Sequence, residues 1–363
     1  MSTLSRQQTL VKCVVWDLDE TLWQGTLLEG GGKALRPGII YIIRELDSRG
    51  ILQSIASKND YHIAWPVIEA FALSEYFLFP QISWASKVES VKAIADKLGI
   101  GLDALAFVDD QELERDEIRC FLPQVTVVDA ADIDDLLHQQ YVRPLSITDE
   151  ARLRRLIYRA DIERTEAGQV FTGTRDEFLA TLAMRLTIQP VDEDDLTRAE
   201  ELTIRTNQLN TTGLTYSYEE LSALSRSPYH LVLGAKLTDC YGSSGTIGLA
   251  VIEKGASEWT IWLLIMSCRV ATRGVGTALL GHIVHLAAAK GVRLRAAFAH
   301  TDRNRQMYIA YKFAGFRDAG EASGTVFLDH DFRRMPVLPS YITVIESVDQ
   351  VEQDHPIQTA DAR

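Results

Sequence analysis

The 363-residue sequence contains no uninterrupted apolar run of about 18 residues, the length a helix needs to cross a bilayer. Residues 1–8 are polar and do not read as a signal peptide, so the expectation is a cytoplasmic protein with no membrane partner. Positive charge is also scarce: 37 Lys and Arg face 50 Asp and Glu, a formal net charge of −13. Such a chain has no overall field to recruit a phosphate backbone, which argues against nucleic acid as a partner. The four cysteines, Cys13, Cys120, Cys240 and Cys268, lack close pairing. Neither a zinc site nor a disulfide framework is expected, and the thiols should be reduced. The rest of the composition, 46% hydrophobic and 24% charged, is that of a soluble globular protein. The length exceeds one typical core and predicts two domains.

Chemistry begins at Val-Val-Trp-Asp17-Leu-Asp19-Glu-Thr21-Leu-Trp. An apolar run ending in two carboxylates one residue apart predicts a buried strand whose terminal acids point the same way, because side chains alternate along a strand. Such a pair can hold a divalent cation, with one carboxylate attacking phosphorus and the other delivering a proton to the leaving oxygen. A second strand, over 51–55, runs to Ser57 and opens into Lys58, Asn59 and Asp60, a polar turn able to donate to phosphoryl oxygens. Lys87 precedes a helix expected over 88–98, and a third strand over 105–108 ends in Asp109 and Asp110. Functional strand ends along one edge of a parallel sheet are where open α/β folds place their ligands. Between Thr21 and the first crossover helix, expected over 37–48, there is only a Gly-rich stretch at 24–36, too short for a lid domain. The site is therefore expected to be open from above, suiting a large substrate or a covering second domain.

Farther along, a last short strand over 125–128 and a helix over 132–138 precede a boundary at 141–148, where Arg143-Pro144 interrupts the pattern. Two connector helices are expected, over 149–164 and 176–184, with Thr174 capping the second. The first carries Arg152, Arg154, Arg155 and Arg159, either a solvated face or a docking site for an acidic partner. From Leu186 the pattern reads strand, helix, several strands, helix, strand, helix. Strands are expected over 231–237, 246–253, 259–266 and 294–299, a turn over 239–245, and a helix over 277–290. Between strand and helix stands Ala271-Thr-Arg273-Gly274-Val-Gly276, whose backbone N–H groups at the positive helix end suit a pyrophosphate or another anion.

Taken in order over residues 8–140, the four N-terminal motifs resemble the haloacid dehalogenase (HAD) superfamily of aspartate phosphotransferases. The resemblance implies Asp17 as nucleophile and Asp19 as general acid/base, with Thr21, Ser57, Lys58, Asn59 and Lys87 serving the phosphoryl group. It further implies Mg²⁺ held by Asp17, by Asp19 through its main-chain carbonyl, by Asp109 and by Asp110, an oxygen set that fits a hard cation. The Arg-Gly-Val-Gly turn, with Asn304, Tyr311 and Gly315-Phe316 downstream, resembles the Gcn5-related N-acetyltransferase (GNAT) fold over 186–335, a fold that binds the pantetheine arm of acyl thioesters. Ala271 stands where that family's loop usually begins with Gln or Arg.

The two halves together resemble the FkbH-like family over nearly the whole chain. The motifs that carry this are Lys-Cys-Val-Val-Trp-Asp17-Leu-Asp19-Glu-Thr21-Leu-Trp, Ala-Ser57-Lys58-Asn59-Asp60, Thr206-Asn207-Gln208-Leu-Asn210-Thr-Thr and Met266-Ser-Cys268-Arg269. Cys240-Tyr-Gly-Ser departs from that family's pattern. The resemblance implies a bifunctional enzyme of polyketide-type biosynthesis. It removes phosphate from 1,3-bisphosphoglycerate and loads the glyceryl group onto the phosphopantetheine thiol of an acyl carrier protein. Mg²⁺ and the carrier's phosphopantetheine are the implied cofactors, the carrier and the small phosphorylated substrate the implied partners. A phosphatase or acyl transferase acting on another three-carbon phosphate stays open beside it. The expected fold class is α/β: a capless HAD-like domain with a parallel Rossmann-like sheet over 1–145, a helical connector over 146–185, a GNAT-like α/β domain over 186–345 and a polar tail over 346–363.

On this reading a thiol carries the glyceryl group, and Cys268 is the candidate. It follows a buried strand, precedes a Gly-containing helix start and lies beside Arg269 and Arg273, influences that favour thiolate; the alternative is an inert buried cysteine. Cys13, within a strand, reads as core. His300, at a strand end, is a candidate base for the thiol, against an ordinary surface or packing histidine. Asn207, Gln208 and Asn210 are candidates for binding substrate hydroxyls or a thioester oxygen, and Arg269, Arg273, Gly274 and Gly276 for the anion.

Overall fold

The computed structural model describes residues 10–30, 34–144, 147–206 and 209–346, and the chain divides into two compact units, Met1–Val170 and Phe171–Arg363. Among the described residues no helix is long and apolar enough to cross a membrane. The fold is α/β in both units.

In the first unit, strands β1 (Cys13–Trp16), β2 (Leu52–Ser57), β3 (Gln81–Ile82), β4 (Leu105–Asp109) and β5 (Thr126–Asp129) form one parallel sheet in the order β3-β2-β1-β4-β5. Helices α1 (Ile39–Ser48), α2 (Tyr61–Ala70), α3 (Lys87–Leu98) and α4 (Glu112–Phe121) supply the crossovers that parallel strands need. Every residue of β1 is buried because the sheet is covered on both faces. Val14 and Trp16 enter one core with Ile39, Ile42, Ile43 and Leu46 of α1, whereas Cys13 and Val15 enter the other with Val91 and Ile94 of α3. Cys13 is core, as its strand position predicts.

Local signals place the helix starts near the site. Asp60 caps α2 through the His62 N–H, and Ser86 caps α3 through the Val88 N–H, so Lys87 is the first residue of a helix whose N-terminus faces the sheet edge carrying Asp17. Where a helix was expected over 132–138, a 3₁₀ helix runs Ala130–His138.

The segment expected as a connector divides between the units. Helices α5 (Asp149–Arg152) and α6 (Arg154–Val170) belong to the first. Arg154 donates to the Gly50 carbonyl at 3.0 Å, and Arg155 pairs with Asp47 and Glu75 at 3.0 Å each. These two arginines pin α6 inward, so they do not form the outward docking face weighed above. Gly50, at φ +70°, is required here, since a Cβ would sit 2.7 Å from the Ala151 carbonyl oxygen. Helix α7 (Arg175–Thr181) opens the second unit with a reciprocal capping box between Thr174 and Glu177.

The second unit continues through β6 (Met184–Pro190), α8 (Glu193–Arg205), α9 (Tyr218–Arg226), β7 (His230–Asp239), β8 (Gly242–Lys254) and β9 (Glu258–Met266). It ends with α10 (Val275–Ala289), β10 (Arg293–Phe298), α11 (Arg305–Phe313), β11 (Phe316–Ala322), β12 (Thr325–His330) and β13 (Ile342–Glu346). The sheet order is β11-β12-β10-β9-β8-β7-β6-β13, antiparallel except at β9/β10 and β6/β13. Helices α10 and α11 cover one face, and α8 and α9 the other. The expected turn over 239–245 is shorter: β7 and β8 pair out to Asp239 and Gly242, leaving Cys240 and Tyr241 at the tip.

Candidate active site

Asp17 follows β1 directly, is 4% exposed, and its N–H continues the sheet by donating to the Val108 carbonyl. Its carboxylate lies 2.6 Å from Lys87 Nζ. The same ammonium stands 2.5 Å from Asp109 and 2.5 Å from Glu114. The Ser57 hydroxyl also bonds Asp17, so the ends of β1, β2 and β4 and the first turn of α3 converge on one point. Asp17, Asp109 and Asp110 present carboxylate oxygens all within 4.8 Å of one another. Asp109 is fixed from behind by the Gln111 N–H at 2.8 Å and, through its carbonyl, by Arg115 at 2.9 Å; Arg115 in turn pairs with Asp129.

Burial pushes the Asp17 carboxyl above its ordinary value although Lys87 and Ser57 pull it back. Burial, then the neighbouring charge of Asp17, lifts Asp109 to about 6, and burial with Asp109 lifts Asp110. Burial alone would lower Lys87, but Asp17, Asp109 and Glu114 outweigh it and hold the ammonium charged. Glu114 is opposed by burial too, yet Lys87 and Lys58 keep it below the usual carboxylate range.

These residues fit Mg²⁺. Four carboxylates, Asp17, Asp109, Asp110 and Glu114, surround two ammonium groups, Lys87 and Lys58, a surplus of two negative charges that a divalent cation balances. Asp110 Oδ1 is buried without a hydrogen-bond partner, a hard oxygen suited to such an ion. A cation competes with the proton that Asp109 retains up to about pH 6. Mg²⁺ affinity is therefore expected to weaken as pH falls below about 6, by up to about tenfold per unit for one displaced proton. Calorimetric titration at pH 7.5, 6.5 and 5.5 checks this, and an unchanged Kd would contradict it.

Asp19 departs from the expectation of a second carboxylate pointing with the first. The strand ends at Trp16, so period-two alternation does not carry past it, and the Asp19 carboxylate lies outside the three-carboxylate group. It accepts from Trp23 Nε1 at 2.7 Å, the Leu27 N–H at 3.0 Å and Asn59 Nδ2 at 2.9 Å. That cradle suits a positioned acid/base. Asn59, expected to serve the phosphoryl group, gives one of its amide N–H bonds to Asp19. Lys58 pairs with Glu114 at 2.9 Å while remaining partly exposed. The Thr21 hydroxyl is buried without a hydrogen-bond partner.

Glu114 and Arg115 were not singled out from the sequence. The available signal was their register: both fall on the buried face of α4 with Ile118, where an acid and a base require partners. No lid lies above the site in the described segment after Thr21. Trp23 bridges to Leu35, and Gln24 N–H donates to the Ala34 carbonyl, which brings the two ends of the stretch together. Tyr61, Trp84 and Leu113, on segments that follow β2, β3 and β4, are exposed around the same sheet edge.

In the second unit Cys268 is exposed, which removes the buried alternative. Beside it, Arg269 donates to the Ser244 carbonyl at 3.4 Å, and Arg273 is buried 3.7 Å from Asp239. His300 packs edge-on to Phe298 and against Tyr308. Gly274 caps α10 at φ +76°, and a Cβ there would meet the Tyr341 hydroxyl at 2.6 Å; Gly276 makes only ordinary contacts. The Asn210 side chain is engaged by its own turn, accepting from Thr212 and Gly213 and donating to the Leu214 carbonyl. At 2% exposure it does not offer itself to a substrate. Asn207 and Gln208 lie outside the described residues.

A doubly wound parallel sheet with a buried aspartate–lysine centre at its carboxyl edge, followed by a second α/β unit, defines the class: an α/β enzyme. More particularly, it is similar to Mg-dependent phosphatases and to N-acetyltransferases. No family model matches the chain. It is 28% identical to human magnesium-dependent phosphatase 1, over 28% of this chain and 69% of that protein. Among solved structures it is similar to the N-terminal part of BF1531 from Bacteroides fragilis, which contains a phosphatase domain complexed with Mg, at 26% identity and a TM-score of 0.31. That likeness covers 36% of this chain and only 40% of the Bacteroides chain. It is also similar to the ribosomal-protein-S18-alanine N-acetyltransferase of Escherichia coli, at 17% identity and a TM-score of 0.33, over 40% of this chain and 92% of that one.

Proposed function

We propose that the chain is a Mg²⁺-dependent phosphatase that works through an aspartyl phosphate and is joined to an acyl transferase of the FkbH-like kind. It dephosphorylates 1,3-bisphosphoglycerate and passes the glyceryl group through Cys268 to the phosphopantetheine thiol of an acyl carrier protein. The observation that carries the phosphatase reading is the buried Asp17 carboxylate held 2.6 Å from Lys87 within a carboxylate trio fit for a cation. Bound there, Mg²⁺ offsets the negative charge of the phosphoryl oxygens. An Asp17 oxygen attacks phosphorus and the ester P–O bond breaks, with the departing alkoxide taking a proton from Asp19. Asp19, now ionised, then accepts a proton from the water that attacks the phosphorus of the Asp17 phosphate, releasing inorganic phosphate and restoring the carboxylate. Lys87 stays charged throughout and stabilises the negative charge on both carboxylate and phosphoryl group.

The acyl step rests on the exposure of Cys268 and on the family resemblance. Its thiolate attacks the acyl-phosphate carbonyl, the C–O bond to phosphate breaks, and a thioester forms. The carrier's thiolate then displaces the Cys268 sulfur, an exchange of one thioester for another. Intact-mass spectrometry after incubation of the enzyme with Mg²⁺, 1,3-bisphosphoglycerate and a holo carrier is expected to show a glyceryl adduct on the carrier. Cys268→Ala is expected to abolish the adduct and the phosphate released by acyl transfer, and to spare release of phosphate from the monoester. A carrier left unmodified by wild-type enzyme that still releases phosphate would remove the transferase half.

A further inference from the structure

In the second unit the parallel pairing of β9 with β10 runs only from Glu258↔Arg293 to Ile261↔Ala296. Beyond it, residues 262–266 of β9 offer an edge inside the sheet, the kind of edge an extended amide-bearing molecule joins by main-chain hydrogen bonds. A pantetheine arm, with two amides in line, is such a molecule. That edge is already taken by the chain itself. Residues 209–212 enter the gap, where Met266 N–H donates to the Leu209 carbonyl at 3.0 Å and Thr211 N–H to the Leu264 carbonyl at 3.2 Å. Leu264 N–H donates to Thr211 Oγ1 at 3.0 Å, and Thr212 Oγ1 to the Trp262 carbonyl at 3.2 Å. On the far side Ala299 N–H donates to the Thr211 carbonyl at 3.0 Å, which closes the gap to the β10 end. Asn304 locks the insertion, since its amide donates to the carbonyls of Asn210 and Ala299 while its oxygen accepts from Thr301. Leu209, Asn210, Thr211 and Asn304 are buried, and only Thr212, at the end of the insert, is half-buried.

We infer that residues 209–212 are a built-in occupant of the β9–β10 gap, that the second unit takes neither coenzyme A nor a carrier's pantetheine arm along β9, and that Thr211 and Asn304 set this exclusion. A thiol reaching Cys268 then comes to it from solvent, past the end of β9. The exclusion holds whether or not Cys268 carries an acyl group, so it stands or falls separately from the proposed transfer.

The test is amide hydrogen exchange on the full-length protein, with and without millimolar coenzyme A and, separately, 4′-phosphopantetheine. Peptides covering 209–212, 262–266 and 299–304 are expected to keep the same protection in all three samples. A saturable change in protection confined to those peptides would overturn the inference. Thr211→Val removes the acceptor for the Leu264 N–H and is expected to speed exchange at that amide about fivefold, with phosphatase turnover unchanged. Should that variant fail to fold, Thr211→Ser keeps the acceptor and is expected to keep wild-type protection. Loss of Leu264 protection in Thr211→Ser would count against the pairing.

Discussion

Asp17→Asn is expected to lower phosphate release by roughly 10⁴-fold or more while leaving the fold intact, because an amide of the same shape cannot form the phosphoryl bond. Asp17 sits at the buried end of a strand paired on both sides, so its backbone is fixed by β2 and β4 rather than by its own charge. The comparison that gives the result meaning is Asp19→Asn. Its carboxylate is held by Trp23, Leu27 and Asn59, away from the cation group, so turnover is expected to fall about 10²- to 10⁴-fold with Mg²⁺ affinity little changed. Steady-state phosphate release together with Mg²⁺ titration of both variants separates the two roles. Equal loss of Mg²⁺ affinity in the two would contradict the separation.

Lys87→Ala is expected to be the most destabilising single change in the first unit. The ammonium is 3% exposed and stands within 2.6 Å of three carboxylates that are themselves nearly inaccessible. Removing it leaves buried acids uncompensated, a loss of about 3–5 kcal/mol by analogy with other broken buried ion pairs. Some of that loss is expected to return on adding Mg²⁺, since a cation bound by Asp17, Asp109 and Asp110 neutralises the same charges. Urea denaturation with and without Mg²⁺ measures both effects. A Lys87→Ala protein as stable as wild type without metal would show that the acids are protonated rather than paired.

Much of the first unit was legible because its strands are short apolar runs that stop at polar residues. Ile55, Ala56 and Ser57, like Phe107, Val108 and Asp109, lie within a few positions of where sequence places the strand ends. Asp19 was misread because alternation holds only inside a strand, and the chain turns as soon as Trp16 ends. Glu114 and Arg115 were missed because charged residues on an amphipathic helix read as its wet face unless one knows that a buried lysine waits opposite. Arg154 and Arg155 erred in the same direction, since their carbonyl and carboxylate partners are distant in sequence. The second unit hides its most telling feature for a related reason. The insertion of residues 209–212 between β9 and β10 depends on backbone pairing with residues more than fifty positions away, and no local propensity records it. Residues 264–266 and 299 read simply as apolar strand.

The most direct test is to stop the reaction of wild-type enzyme, Mg²⁺ and a phosphate monoester with acid during turnover and to map the modified peptide by mass spectrometry. A phosphoryl group on Asp17, absent from Asp17→Asn and accumulating in Asp19→Asn as its hydrolysis slows, is the predicted result. Full turnover with no phosphoryl group at Asp17, or with one placed on another side chain, would contradict it.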